Sequence, residues 1–203
     1  MKVKERIYRE ILIGVLNKRK SFTQLELSKI CEVSLGFVNK TTQELKEIGA
    51  VDVGLRRFRV IDPSKILFIW AAQRNLKKDI SASYNINMPV TELEKEIPFI
   101  LTAYSGWRLL SKSVPFDYSE VYCYVPAKDN RLFDLWLRNK KNGKGKENIF
   151  VIYTNDNHLI KSSQKKIAPL PQIFVDIYSL AGLASKYFIS DILEKYPIFK
   201  VEV

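Results

Sequence analysis

The residue types that most often carry chemistry are sparse in this chain of 203 residues. It has one histidine, His158, so multi-histidine metal sites are excluded and any serine or cysteine triad would depend on that residue alone. We expect His158 in a surface turn. Cys31 and Cys123 lie far apart and lack the C-x-x-C spacing of zinc or redox sites, which predicts two small buried thiols.

Acidic residues are the second group that could do chemistry. Two carboxylates around a magnesium ion would suit nucleotidyl transfer, in which the metal holds phosphate and neutralises developing charge. No D-x-D pair occurs, and we expect Asp176 to cap a helix, to pair structurally or to lie on a partner surface. We therefore predict no catalytic residues and no metal or cofactor site. The candidates considered are Asp117, Glu120, Asp134, Asp156 and Asp176.

Two further patterns have ordinary structural explanations. The segment 139–148, NKKNGKGKEN, lacks the G-x-x-x-x-G-K-[ST] pattern of a phosphate loop and predicts a charged flexible loop. Several tyrosines in strand-like segments could stack unpaired bases, although aromatic strands usually belong to a core or an interface. These are Tyr118, Tyr122, Tyr124 and Tyr153.

Residues 21–61 indicate a different chemistry, the binding of duplex DNA. The amide side chains of Asn39 and Gln43 can pair with adenine, and Lys40 can reach guanine or phosphate. Three arginines within four positions can neutralise phosphates. The predicted DNA-contacting residues are Ser34, Gly36, Phe37, Asn39, Lys40, Gln43, Arg56, Arg57 and Arg59.

Two short helices must position these side chains. Ser34 lies between them and can accept a hydrogen bond from a first-turn amide of the second helix, which Gly49 then ends. Apolar residues near helical spacing predict that the two helices close on one small core. The first segment has Phe22, Leu25, Leu27, Ile30 and Val33, and the second has Val38, Leu45 and Ile48.

A two-stranded hairpin follows. Residues 50–55 and 57–61 are short β-prone runs around Gly54, Leu55 and Arg56. Because strand side chains alternate, Arg57 and Arg59 are expected to share one face, with Arg56 at the turn. This order of elements, over roughly residues 4–62, resembles the winged helix-turn-helix regulators. The resemblance implies that the second helix enters the major groove and that the hairpin, the wing, lies on the neighbouring backbone.

Charge is concentrated in the same part of the chain. The net charge is +11, and residues 1–78 carry 17 Lys+Arg against 8 Asp+Glu, whereas residues 79–203 carry 16 against 14. This asymmetry favours phosphate binding by the first part. No apolar run approaches the roughly 18 residues that span a bilayer, and the charged residues 1–20 are unlike a signal peptide. We therefore expect a cytoplasmic protein that makes no membrane contact.

The remaining elements predict an α+β fold with two domains, 1–78 and 85–203, joined by a linker at 79–84. An amphipathic helix is expected over residues 4–16 and another from Pro63 to about Lys78. In the second, mixed α/β domain, helices are expected at 91–97, 98–111 and 131–138, and strands at 118–125 and 148–154. A short extended stretch is expected near 159–168, and two helices broken near Gly182 over 171–196.

A second resemblance covers roughly residues 85–196. The motif PQIFVDIY at 171–178, with weaker support from Tyr104, Ser105 and Gly106, is similar to the carboxyl-terminal domain of AbiEi-type antitoxin and autoregulator proteins. The resemblance implies a DNA-binding repressor whose second domain meets a protein partner. Packing alone could require many of the same apolar residues.

Three functions follow from these observations. The first is a sequence-specific regulator of transcription that acts as a homodimer without catalysis and whose second domain binds a ligand or a protein. The second is an antitoxin of an abortive-infection pair that holds a toxin through residues 85–203 and binds DNA for autoregulation. The third is a nucleotidyltransferase-like enzyme fused to a DNA-binding module.

Overall fold

A computed structural model describes residues 3–140 and 143–200, and it has the mixed α+β composition that the sequence predicts. The chain divides into two compact units. The first unit comprises the described residues up to Arg74 and from Ser190 onward, and the second comprises Asn75–Ile189. Residues from Ser190 onward, which the sequence analysis assigned to the second domain, thus group with the first unit.

The first unit contains helices and a small antiparallel sheet in which β3 lies between β1 and β2. The predicted helix from Pro63 to about Lys78 is shorter than expected, because Arg74 adopts an extended conformation and Asn75 caps a separate short helix. The elements are α1 (Lys4–Leu16), β1 (Ser21–Phe22), α2 (Gln24–Cys31), α3 (Leu35–Glu47), β2 (Val51–Val53), β3 (Phe58–Val60) and α4 (Pro63–Gln73).

One part of the core of the first unit lies where α1 meets the small sheet. The ring of Phe22, from β1, is buried, stacks on Phe58 of β3 at 5.7 Å between ring centroids, and lies directly against Gly14 of α1. A Cβ atom at Gly14 would lie 2.5 Å from the Phe22 ring, so only glycine permits this approach. Arg19 lies over the same ring at 4.5 Å. These contacts fix the sheet against α1.

The second unit is built around a four-stranded mixed sheet of order β4-β7-β6-β5. The central pair, β6 and β7, is parallel with Tyr122 opposite Phe150, and the edge strands are antiparallel. The elements are α5 (Leu76–Asp79), β4 (Ala82–Tyr84), α6 (Val90–Glu96), β5 (Ile100–Thr102), α7 (Ala103–Ser111), β6 (Val121–Pro126), α8 (Asn130–Arg138), β7 (Ile149–Thr154), α9 (Asn157–Ser162), α10 (Leu170–Tyr178) and α11 (Leu183–Lys195), which crosses into the first unit at Ser190.

Helices cover both faces of this sheet. One face packs on α6 and α8 through an apolar cluster that includes Leu93, Cys123 and Phe133. The other face packs on α7 and α10. Gly106 of α7 permits the close approach of α10, because a Cβ atom there would lie 3.1 Å from Ile173. Strands buried on both faces explain the continuous apolar runs in β6 and β7.

The structure confirms several predicted elements of the second unit and corrects others. The helix at 131–138, the strand ending at Thr154 and the break near Gly182 are confirmed within a residue or two. The single helix predicted over 98–111 is wrong, because residues 100–102 pair with β6 as strand β5 before α7 begins. The extended stretch predicted near 159–168 begins instead in α9. Residues 141 and 142 of the predicted flexible loop lie outside the described residues.

The packing of Gly14 leads to a first prediction. Gly14→Ala should lower the free energy of unfolding by about 1–3 kcal/mol, because the added methyl group overpacks the buried Phe22 ring. The cost of this overpacking is expected to exceed the gain in helix propensity that alanine usually brings over glycine. Chemical denaturation of the purified protein measures this change. An unchanged or higher stability would show that Phe22 moves aside without cost.

Candidate nucleic-acid interface

Helix α3 begins where the sequence analysis placed it. Ser34 adopts an extended conformation and its side chain accepts a hydrogen bond from the Phe37 amide at 3.2 Å, so it is the N-cap. Val38 and Leu45 are buried on one side of the helix. Buried Thr41 and Thr42 donate their hydroxyls to the carbonyls of Phe37 and Val38 at 2.9 and 2.8 Å, so this face leaves no hydroxyl unsatisfied.

A tight turn joins α2 to α3. Glu32 ends α2 in the left-handed conformation, with φ of 55°, and the Ser28 hydroxyl donates to the Val33 carbonyl at 2.8 Å. Leu27 and Cys31 are the buried positions of α2 and pack toward the core. The turn therefore sets the direction in which α3 leaves α2.

The outer face of α3 carries most of the side chains that were predicted to contact DNA. Ser34, Gly36, Asn39, Lys40 and Gln43 are exposed, and Phe37 is half-buried. At Gly36 an added Cβ would meet no heavy atom within 4 Å, so the backbone of the first turn is openly accessible. The helix thus presents two amides, one lysine and bare backbone on a single side.

The hairpin of β2 and β3 carries the three arginines. The Gly54 amide donates to the Arg57 carbonyl at 3.0 Å and closes the tip, where Arg56 is exposed. On the return strand Phe58 is buried, whereas Arg57 and Arg59 are exposed, as alternation requires. The arginines therefore face solvent on the hairpin.

A groove of about 400 Å³ lies between the start of α2, the outer face of α3 and the hairpin tip. Asn39 and Gln43 of α3 and Arg56 and Arg57 of the hairpin line it together. Gln24 of α2 lies in the same groove, where its Oε1 accepts a hydrogen bond from Asn39 Nδ2 at 3.2 Å. The groove brings into one place the amides and the cations that the sequence analysis selected separately.

Six residues that line this groove were not among the predicted contacts: Thr23, Gln24, Leu25, Val53, Gly54 and Leu55. We expected Leu25 and Ile30 to be core positions of the first helix, but Leu25 is 56% exposed and Ile30 is 39% exposed. The reason is that α2 buries only the stripe of Leu27 and Cys31. The T-x-x-E spacing of Thr23 and Glu26 marks a helix start and would have placed Gln24 and Leu25 in the first turn.

Four cations lie in or beside the groove. Among the described residues, Arg56, Arg57, Arg59 and Lys40 form no ion pair, whereas Arg19 pairs with Glu26. The hydrogen bond from Arg19 also lowers the pKa of the Glu26 carboxyl. Four cations thus remain available to an anionic partner.

The acidic candidates of the second unit do not meet in a single cluster. Asp117 and Asp134 are exposed. Asp156 caps α9 by accepting from the Leu159 amide at 3.1 Å, and Glu120 accepts from the Tyr122 hydroxyl at 2.6 Å. Asp176 is fully buried. Its Oδ2 accepts from Thr102 and from Tyr124 at 2.7 Å each, and its Oδ1 accepts from Gln172 at 3.0 Å.

The Asp176 network ties α10 to the sheet, which fits the structural pairing considered in the sequence analysis. Thr102 belongs to β5 and Tyr124 to β6, while Gln172 lies one turn before Asp176 on α10. Four polar side chains at the centre of the unit therefore satisfy one another.

Several of the remaining candidate residues are buried, whereas Tyr118 and Tyr153 are half-buried. Tyr122 and Tyr124 are buried, so neither has a ring face open to stack a base. The prediction that His158 lies on the surface is wrong, because it is buried in the first turn of α9. Both cysteines are buried and free, as predicted, and burial raises the pKa of the Cys123 thiol to about 12. That thiol is therefore unsuited to act as a nucleophile.

The network also yields a prediction. Tyr124→Phe removes two hydrogen bonds inside the core, one to Asp176 and one from Gln172 at 3.0 Å, and should lower the free energy of unfolding by about 1–3 kcal/mol. Thermal or chemical denaturation measures the change. Tyr187→Phe is the control, because Tyr187 is 48% exposed. Equal effects of the two substitutions would contradict a stabilising role for the network.

Comparisons with protein-family models, with curated proteins and with solved structures find no match to this chain. Within the described residues, no helix has the length and apolar character that crossing a membrane requires. The same residues bring no three histidine, cysteine or acidic side chains together as a metal ion would need. The geometry of the groove is thus the main basis for a functional argument.

Proposed function

We propose that the first unit is a winged helix-turn-helix that binds duplex DNA, and that the protein is a sequence-specific regulator of transcription. The observation that carries this proposal is the groove in which Asn39 and Gln43 of α3 lie beside Arg56 and Arg57 of the hairpin. In this proposal α3 occupies the major groove and the hairpin, the wing, lies on the adjacent backbone.

The dimensions and the charge agree with this arrangement. A helix is about 10–12 Å across with its side chains, and the major groove is about 12 Å wide, so α3 can enter it only with one face toward the bases. The exposed face of α3 carries no acidic side chain between Leu35 and Gln43. The exposed arginines of the hairpin can neutralise phosphates next to the groove that α3 occupies.

The second unit is proposed to bind a ligand or a protein, and the whole chain is proposed to act as a homodimer. A homodimer would place two copies of α3 on the two halves of a palindromic operator. In the second unit Asp156, Glu120 and Asp176 are each engaged with different partners, so no observation favours the nucleotidyltransferase alternative.

The bare backbone at Gly36 gives the sharpest test of the orientation of α3. Gly36→Ala adds a methyl group in open space, so it should raise the free energy of unfolding by about 0.5–1 kcal/mol. If the first turn of α3 faces DNA, the same methyl should weaken binding about tenfold, because glycine permits the closest approach of backbone to ligand.

Chemical denaturation measures the change in stability. Fluorescence anisotropy measures the change in DNA affinity, with a labelled genomic fragment that was selected by its binding to the unmodified protein. A stabilised variant that binds DNA as tightly as the unmodified protein would contradict the proposed docking of α3. The opposite signs of the two effects separate a lost contact from a damaged fold.

The wing gives an independent test. Each arginine that contacts a phosphate contributes roughly one unit to the slope of log K against log salt concentration, so replacing Arg56, Arg57 and Arg59 together by alanine should lower that slope by roughly three units. The loss should be similar on all DNA sequences, because phosphate contacts carry no base information.

The matched control changes the net charge equally in the second unit. Lys128, Arg131 and Arg138 are exposed there, and their triple alanine variant should leave the slope unchanged. A wing variant that behaves like this control would refute the phosphate contacts.

A further inference from the structure

The side chains in the groove between α2, α3 and the hairpin are mostly amides, leucines and arginines. Gln24, Asn39 and Gln43 supply three amides, and Leu25 and Leu55 supply two exposed isobutyl groups. None of the residues that line the groove, all of them within the described part of the chain, is acidic. The proposed function leaves open which bases such a surface would select.

The amides and one further leucine form a stripe on α3. Leu35, Asn39 and Gln43 are spaced four residues apart, so they lie above one another on one face, and all three are exposed. At 1.5 Å of rise per residue the stripe is about 12 Å long, which corresponds to roughly three to four base pairs. Its chemistry is apolar at the amino-terminal end and amide thereafter.

The amide of Asn39 is held in place by α2. Its Nδ2 donates to Gln24 Oε1 at 3.2 Å, which restrains the side-chain rotamer before any ligand binds. One N–H of that amide and its Oδ1 remain for a second partner. An amide with one donor and one acceptor side by side matches the N7 and N6 positions of adenine.

The leucines match the other base of the same pair. Leu25 is 56% exposed and Leu35 is 47% exposed at the start of α2 and of α3. In the major groove the C5-methyl group of thymine is the apolar feature of the base-pair edges, and apolar side chains contact it. Lysine and arginine are the usual partners of guanine, and on the outer face of α3 between Leu35 and Gln43 only Lys40 is of that type.

We propose that this surface recognises A·T base pairs in the major groove, with Asn39 and Gln43 on adenine, Leu25 and Leu35 on thymine methyl groups, and Gln24 positioning Asn39. The inference rests on the proposed function, because it requires α3 to lie in the major groove. It adds the class of DNA sequence that the operator must contain.

Four alternating duplexes of equal length test the inference with the full chain: dA-dT, dG-dC, dI-dC and dA-dU. An I·C pair has the major-groove edge of G·C and the minor-groove edge of A·T, so it distinguishes which groove is recognised. Replacing thymine by uracil removes only the methyl group. Competition against one labelled duplex gives the relative affinities at a fixed salt concentration.

Binding should be about tenfold tighter to dA-dT than to dG-dC, and dI-dC should bind like dG-dC. The dA-dU duplex should fall between them. Asn39→Ala and Gln43→Ala should each lower the ratio of dA-dT to dG-dC affinity, and the double variant should lower it most. Gln73→Ala, at an exposed glutamine of α4, should leave the ratio unchanged.

Two finer comparisons test the individual roles. Leu25→Ala should reduce the difference between dA-dT and dA-dU, and replacing Leu25 and Leu35 together by alanine should abolish it. Leu135→Ala, which removes an equally exposed leucine from the second unit, should retain the difference. Gln24→Ala should reduce the preference for dA-dT, and Gln24→Glu should retain most of it, because a carboxylate still accepts from Asn39 Nδ2.

The outcomes separate the inference from the proposed function. Equal affinity for dA-dT and dG-dC, or dI-dC that binds like dA-dT, would overturn A·T recognition in the major groove while leaving DNA binding intact. Failure to bind any of the four duplexes in a salt-dependent manner would refute the proposed function and the inference together.

Discussion

The packing of Phe22 between α1 and β3 is the contact on which the geometry of the proposed interface depends. Strand β1 has only two residues, too few for its ladder hydrogen bonds to hold it in register. The Phe22 ring keeps β1 in register instead, because it packs against Gly14 on the surface of α1 and stacks on Phe58 of β3. With Phe58 buried, Arg57 and Arg59 must point outward, since a one-residue slip would exchange the two faces of β3.

Helix α3 likewise has one buried face and one exposed face. Its buried side anchors the helix through Val38 and Leu45, while Thr41 and Thr42 satisfy their hydroxyls against their own backbone. The outer side takes no part in the core, so substitutions of its polar side chains should change stability little. If α3 binds DNA as proposed, side chains on its outer face can change without disturbing the core, and glycine at position 36 would trade helix stability for close approach of the backbone to the ligand.

Much of the fold follows from local signals in the sequence, and the errors occur where contacts between distant residues decide the structure. Ser34 was correctly placed as the cap of α3 because a serine before an apolar helical pattern has a direct physical reason to be there. The segment Ile-Leu-Thr at 100–102 suits a helix or a buried strand, and its pairing with Tyr122, Cys123 and Tyr124 selects the strand. Burial of His158 likewise depends on how α9 packs.

The error at Leu25 bears directly on the proposed function. On a helix that turns about 100° per residue, Leu27 and Cys31 share a face, and Leu25 lies about 160° from Leu27 on the opposite side. Because α2 has only two turns and buries only this stripe, Leu25 remains exposed to water. An exposed leucine does not stabilise the isolated chain. An exposed leucine beside Gln24 and Asn39, in a groove that also holds Leu55 and two arginines, gains burial when a ligand covers it. Duplex DNA offers such a cover at the thymine methyl, where polar and apolar contacts alternate along the same groove edge.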